Sequence, residues 1–149
     1  MIAAVLILVL SSAMCCFYFR VTCQEILHRR FEREYFYAIA SANLLGFQSL
    51  GFSPEGLAAT FDYAELRQTL HCDYRRLTFL LKNATNIDLC YSTAERFLMV
   101  YFRWHFFSWA MRHLLKIEER RAILRLISVL QYFANVIGRR VELCRAPAA

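Results

Sequence analysis

Four histidines and six cysteines are the side chains with which this 149-residue chain would hold a metal or attack a substrate. Imidazoles ligate haem and metal ions inside helical bundles, which makes His28, His71, His105 and His113 candidates by residue type. Their spacing speaks against it. No two stand four apart as in H-E-x-x-H, and Glu25-x-x-His28 is a single copy of a motif that a di-metal bundle needs on two helices. His105 and His113 are eight residues apart, so they share one side of a helix and need another element for a second ligand. His71, His105 and His113 therefore stand only as weak cofactor-binding candidates. No metal site and no resident cofactor is expected.

Nucleophilic and acid–base chemistry fares no better. His71-Cys72-Asp73 sets three reactive types side by side, but consecutive helical residues point in different directions and cannot assemble a triad. Glu118-Glu119 adjoins Arg120-Arg121 and reads as paired, solvated charge. No G-x-S-x-G, Walker A or G-x-G-x-x-G occurs. The cysteines, at 15, 16, 23, 72, 90 and 144, include no C-x-x-C pair and fit reduced thiols better than a disulfide framework. The expectation is a protein that is not an enzyme and has no catalytic residue.

The charge is basic, +6, and all the basic residues but Lys82 and Lys116 are arginine. The guanidinium fork suits the phosphates of anionic lipid or of nucleic acid. Arg67, Arg75 and Arg76 come nearest to a nucleic-acid face, but Asp62, Glu65 and Asp73 interrupt them, and no nucleic-acid partner is expected. Arg139, Arg140 and Arg145 make a basic tail that suits phospholipid equally well.

The elements that must position these residues are helical, and the first is the plainest. Ile2 to Phe19 carries no charge. A secretory signal would have a positive start and a small-residue cleavage site; here nothing positive precedes the apolar core, and Met-Cys-Cys-Phe follows Ser11-Ser12-Ala13. A buried core helix is seldom so long without a polar side. At 1.5 Å per residue the run spans roughly 27 Å, close to the hydrocarbon core of a thin bilayer. Phe17, Tyr18 and Phe19 sit where an aromatic belt belongs, and Arg20, Arg29 and Arg30 follow as interface residues. The expectation is an uncleaved single-pass anchor over about 2–19 in the cell membrane. The positive-inside rule puts its N-terminus outside and the body in the cytoplasm, where the Asn83-Ala84-Thr85 glycosylation pattern meets no glycosylation machinery. Cys15 and Cys16 would then lie near the cytoplasmic leaflet, within reach of palmitoylation in a eukaryote, though two small apolar residues in a helix explain them as well.

No Pro or Gly occurs before Gly46, so one helix is expected from Ile2 to Leu45, membrane-embedded first and amphipathic after. Gly46, Gly51, Pro54 and Gly56 mark a hinge at 46–53, and Ser53-Pro54-Glu55 signals a helix start. Asp62 to Glu65 resembles a capping box that opens a helix to about Lys82, with Leu66, Leu70, Leu77 and Leu81 turned to a core and the arginines less buried. Ser92-Thr93-Ala94-Glu95 is a full capping box and opens a helix to about Ile117. A last helix from about Glu118 to Ile137 should end at Gly138 as its C′ residue. The domains read as an anchor and juxtamembrane helix over 1–45, a helical bundle over 54–140 and a tail over 141–149.

Residues 97–117 have no clean polar side, and Arg103 lies opposite Arg112 and Lys116. Such a helix belongs at the centre of a bundle or, as the competing reading, on the membrane surface with Trp104, Trp109 and Arg112 at headgroup level as a partner or lipid surface. The fold class expected is all-α: one transmembrane helix continuing into a long helix, then a three- to four-helix bundle. The function expected is that of a membrane-anchored interaction module or small subunit of a membrane complex, with the lipid bilayer and a protein partner or second copy as its partners. The competing class is a bundle holding a lipid or a planar cofactor such as haem.

Overall fold

The computed structural model describes residues 1–28, 35–46, 62–83, 91–115 and 120–145. Every element among them is a helix: α1 (Ile2–Leu27), α2 (Phe36–Ala42), α3 (Tyr63–Asn83), α4 (Thr93–Leu114) and α5 (Arg120–Arg145). The chain divides into two compact units, Met1–Arg30 and Phe31–Ala149.

The first unit is α1. Its 26 residues make a rod about 39 Å long. Residues 2 to 18 are exposed without a break. It is one helix near the N-terminus that is long and apolar enough to cross a membrane. The expected continuous helix to Leu45 is not what forms. Helical residues stop at Leu27, with His28 as C-cap. Phe36–Ala42 is a separate helix that belongs to the second unit. The hinge after Gly46, the start at Ser53, Glu118 and Glu119, and the tail from Ala146 lie outside the described residues.

The second unit is a bundle organised around α5, against which α2, α3 and α4 all pack. α3 turns Leu66, Leu70, Leu77 and Leu81 inward as their spacing predicts. Asp62 Oδ1 accepts from the Ala64 N–H at 3.4 Å at its start. α4 opens on the Ser92–Glu95 capping box, in which a Glu95 carboxylate oxygen accepts from the Ser92 N–H at 3.0 Å. α5 is the most buried helix, with Leu126, Val129, Leu130, Phe133 and Ala134 all inaccessible.

α5 also runs past its expected end. Gly138 is not a C′ residue but an interior one, and the helix continues to Arg145. A Cβ at Gly138 would fall 2.1 Å from the Cβ of Tyr35. The glycine is there for close approach, and the start of α2 rests on it. Two further α5 residues hold that start. Asn135 Oδ1 accepts from the Phe36 N–H at 2.7 Å, and Glu142 accepts from the Tyr35 hydroxyl. Asn135, Gly138 and Glu142 fall at i, i+3 and i+7, one stripe of one helix.

α2 ends in a Schellman motif. The Leu45 N–H donates to the Ala40 carbonyl at 3.1 Å and the Leu44 N–H to that of Ser41 at 3.4 Å. Leu44 occupies the position that favours glycine, at φ 48°, with its side chain 84 % exposed.

Candidate functional site

α4 explains its own odd sequence by carrying two apolar stripes. One is buried: Leu98, Phe102, His105 and Trp109 face the core at spacings of four, three and four. The other is open: Phe97, Val100, Trp104, Phe107, Met111 and Leu114 recur at three and four and are all exposed. At about 100° per residue the open stripe covers an arc of roughly 100°. By the same arithmetic Arg96 and Arg103 border it on one side, and Ser108 and Tyr101 on the other, with Arg112 beyond them. The helix does not stand at the centre of the bundle, which is α5; one side of it packs on the core and the other is open.

The tryptophans divide accordingly. Trp104 is 63 % exposed and belongs to the open stripe. Trp109, expected on the same partner or lipid surface, is fully buried, its ring edge-on to Tyr63 at 5.0 Å. Five residues is a little over one turn plus a third, which carries Trp109 across the helix into the other stripe. Arg112 is half-buried beyond the stripe's far margin.

Beside the open stripe lies a groove between α3 and α4. These helices each pack closely on α5 and meet one another through aromatic rings. Tyr74 stacks on Phe102 with centroids 4.2 Å apart, and Tyr63 stacks on His113 at 3.6 Å. The groove encloses about 520 Å³ between Arg67, His71 and Arg75 of α3 and Arg103, Phe106 and Phe107 of α4. A neighbouring hollow of about 480 Å³ shares Arg67, His71 and Phe106. Arg67, His71 and Arg75 fall at i, i+4 and i+8, one stripe of α3. The Arg67 guanidinium sits over the Phe106 ring at 5.5 Å. Arg103 donates to the Tyr74 hydroxyl, which opposes the upward push that burial gives the phenol pKa. Among the described residues, none that lines either hollow is acidic. Asp73, which breaks the basic run in the sequence, is turned into the core.

The three histidines named as weak ligand candidates stand in three settings. His71 is exposed on the groove wall, His105 is buried with its ring 4.2 Å from that of Tyr101, and His113 is stacked on Tyr63. The described residues contain no cluster of three or more His, Cys, Asp or Glu able to hold a metal ion. Cys15, Cys16 and Cys72 are free thiols. Of the expected membrane-interface residues, Phe17, Tyr18 and Arg20 are exposed and Phe19 half-buried on α1. Arg29 and Arg30 lie outside the described residues.

One polar constellation takes Arg140 out of the basic tail in which the sequence places it and pairs it inside the bundle. Arg140 of α5 donates to the Glu95 carboxylate at the start of α4 and to the Leu81 carbonyl in the last turn of α3, the latter at 3.4 Å. Glu95 is buried, and desolvation raises its pKa above the ordinary value. The Arg140 charge and the Ser92 N–H offset that only in part. The capping box foretold Glu95's position. Nothing local foretold Arg140, 45 residues away.

The class of protein this defines is a small helical bundle preceded by a helix able to cross a membrane. No known protein family matches the chain, and no curated protein or solved structure matches it either.

Proposed function

We propose that the chain is a membrane-anchored, non-enzymatic helical module, held by α1 with its bundle on the cytoplasmic side, and that it acts through surface contact. The observation that carries this is apolar surface left uncovered. α1 is exposed along residues 2–18, and α4 repeats the pattern with its outer stripe. Water-soluble monomers seldom leave surface of this kind open without a use. The cytoplasmic placement rests on the arginines gathered just past the apolar run Ile2 to Phe19: Arg20, Arg29, Arg30 and Arg33.

The test is fractionation joined to labelling. The intact chain should resist carbonate extraction. In a variant whose other five cysteines are replaced, Cys72, exposed on α3, should react with a membrane-impermeant maleimide only after cells are opened. Release of uncut protein by carbonate removes the anchor. Labelling of Cys72 on intact cells reverses the topology, as does an endoglycosidase-sensitive shift at Asn83 in a eukaryotic host.

The competing reading, a bundle that holds a ligand, gains support in its lipid form only. The groove between α3 and α4 offers guanidiniums and aromatic rings, whereas the histidines are dispersed.

A further inference from the structure

α4 carries its apolar outer stripe as a straight seam. From Phe97 to Leu114 it runs about 26 Å at 1.5 Å per residue. Along this length no charged residue enters the arc, and one margin is arginine, Arg96 and Arg103. Past Arg103 the surface opens into the groove, where Arg67, His71 and Arg75 come across from α3 and no acid lines the wall among the described residues. Guanidiniums gathered without a carboxylate among them favour an anion between them, and phosphate suits their fork.

We infer that this face docks flat on an anionic phospholipid leaflet, the α4 stripe entering the boundary between headgroups and acyl chains while the arginine margin and groove take lipid phosphate. The placement follows the pattern of an in-plane amphipathic helix: apolar centre, an arginine edge and an aromatic, Trp104, at interfacial depth. A second copy of the chain suits the face less well. Antiparallel pairing of two α4 stripes sets Arg96 and Arg103 against their own counterparts, and parallel pairing sets them against Tyr101 and Ser108, so neither arrangement supplies an acid. Tethering strengthens the docking, because an anchored bundle meets the leaflet at high effective concentration even where its own affinity is weak. In this the inference rests on the anchoring proposed above. It adds that the bundle itself is seated on the lipid rather than free above it.

The chain carries its own reporters, since Trp104 and Trp109 are its only tryptophans. The experiment uses the full chain in vesicles whose lipids carry bromine high on the acyl chains. One set is phosphatidylcholine alone, the other an equimolar mixture with phosphatidylserine. In Trp109→Phe, Trp104 emission should move to shorter wavelength and be quenched, more strongly with phosphatidylserine. Trp104→Phe leaves the core Trp109, whose emission should not respond. Should Trp109→Phe fold poorly, the wild-type signal less that of Trp104→Phe reports the same quantity. Changing Arg67, Arg75 and Arg103 to Gln should lower the docked population about fivefold for each arginine lost.

Water-like, unquenched Trp104 emission in both vesicle types overturns the docking. Quenching that is equal in both and indifferent to the arginines overturns the role of the groove. Shielding of Trp104 without bromine quenching, growing with protein density, assigns the stripe to a second copy and overturns the lipid occupant. Carbonate extraction of the same vesicles separates the two proposals: a chain that stays in the membrane with Trp104 in water has its anchor and lacks the docking.

Discussion

Replacing Arg140 by alanine removes one guanidinium that fastens two helix ends, and the size of the effect should depend on pH. Arg140 holds the Glu95 carboxylate at the start of α4 and the Leu81 carbonyl near the end of α3. The Glu95 side chain is 3 % exposed and that of Arg140 22 %. Stripping the partner from a buried charge costs about 3–5 kcal/mol when the survivor stays ionised. The residual solvent contact of Arg140 puts this pair at the lower end of that range. Loss of the long bond to Leu81 adds about 1 kcal/mol or less. Glu95 can avoid most of the penalty by taking up a proton, which burial already favours. A carboxyl whose folded pKa is raised binds its proton more tightly when folded. Stability therefore falls as pH climbs from the unfolded value near 4.5 through the folded one. Removing Arg140 lifts the folded value further and extends that fall toward neutral pH. Arg140→Ala should cost about 3 kcal/mol at pH 8 and about 1 kcal/mol at pH 5, measured by denaturant unfolding of the full chain in detergent. Adding Glu95→Gln, whose neutral amide oxygen can still accept from the Ser92 N–H, should restore about half the loss at pH 8. An equal loss at both pH values, or no recovery with glutamine, would refute a buried carboxylate as the cause.

Four other substitutions test the packing. Gly138→Ala places a methyl inside van der Waals distance of Tyr35 and should destabilise by about 1–3 kcal/mol in the same assay, with loss of the α2 contact seen as faster amide exchange at Phe36. Leu44→Gly relieves a left-handed residue whose side chain packs on little, and a gain of about 0.5–1 kcal/mol is expected, less than the full conformational penalty because glycine is freer when unfolded. Trp109→Ala should cost about 3–5 kcal/mol and Trp104→Ala in detergent within about 0.5 kcal/mol, the contrast following from their opposite burial.

What the sequence announces is what neighbouring residues decide among themselves. The capping box at Ser92 and the leucine period of α3 are local, and both appear in the fold where expected. Gly138 misleads because a glycine after an apolar run has two meanings, a helix end or a close approach. Only Tyr35, more than a hundred positions earlier, distinguishes them. Nothing between Arg20 and Gly46 breaks a helix by type, so the residues alone predict an anchor helix that runs on to Leu45. Its end at Leu27 has no proline or glycine behind it. The groove was half legible. Arg67 and Arg75 were read as less buried, but their meeting with Arg103 depends on which sides of α3 and α4 face one another. Asp73 counted as a diluting charge until burial removed it from that surface. The two stripes of α4 were hidden in plain view, since a helix apolar all round shows no preferred direction until one half of it is covered.

The Arg140 contact also bears on what lies between the helices it joins. Because one side chain of α5 grips the tail of α3 and the head of α4, their spacing does not depend on the stretch that connects them in the chain. Lengthening a connection costs little, since closure entropy grows only with the logarithm of its length. A reporter peptide or a whole small protein spliced in after residue 84 would leave both ends still clasped.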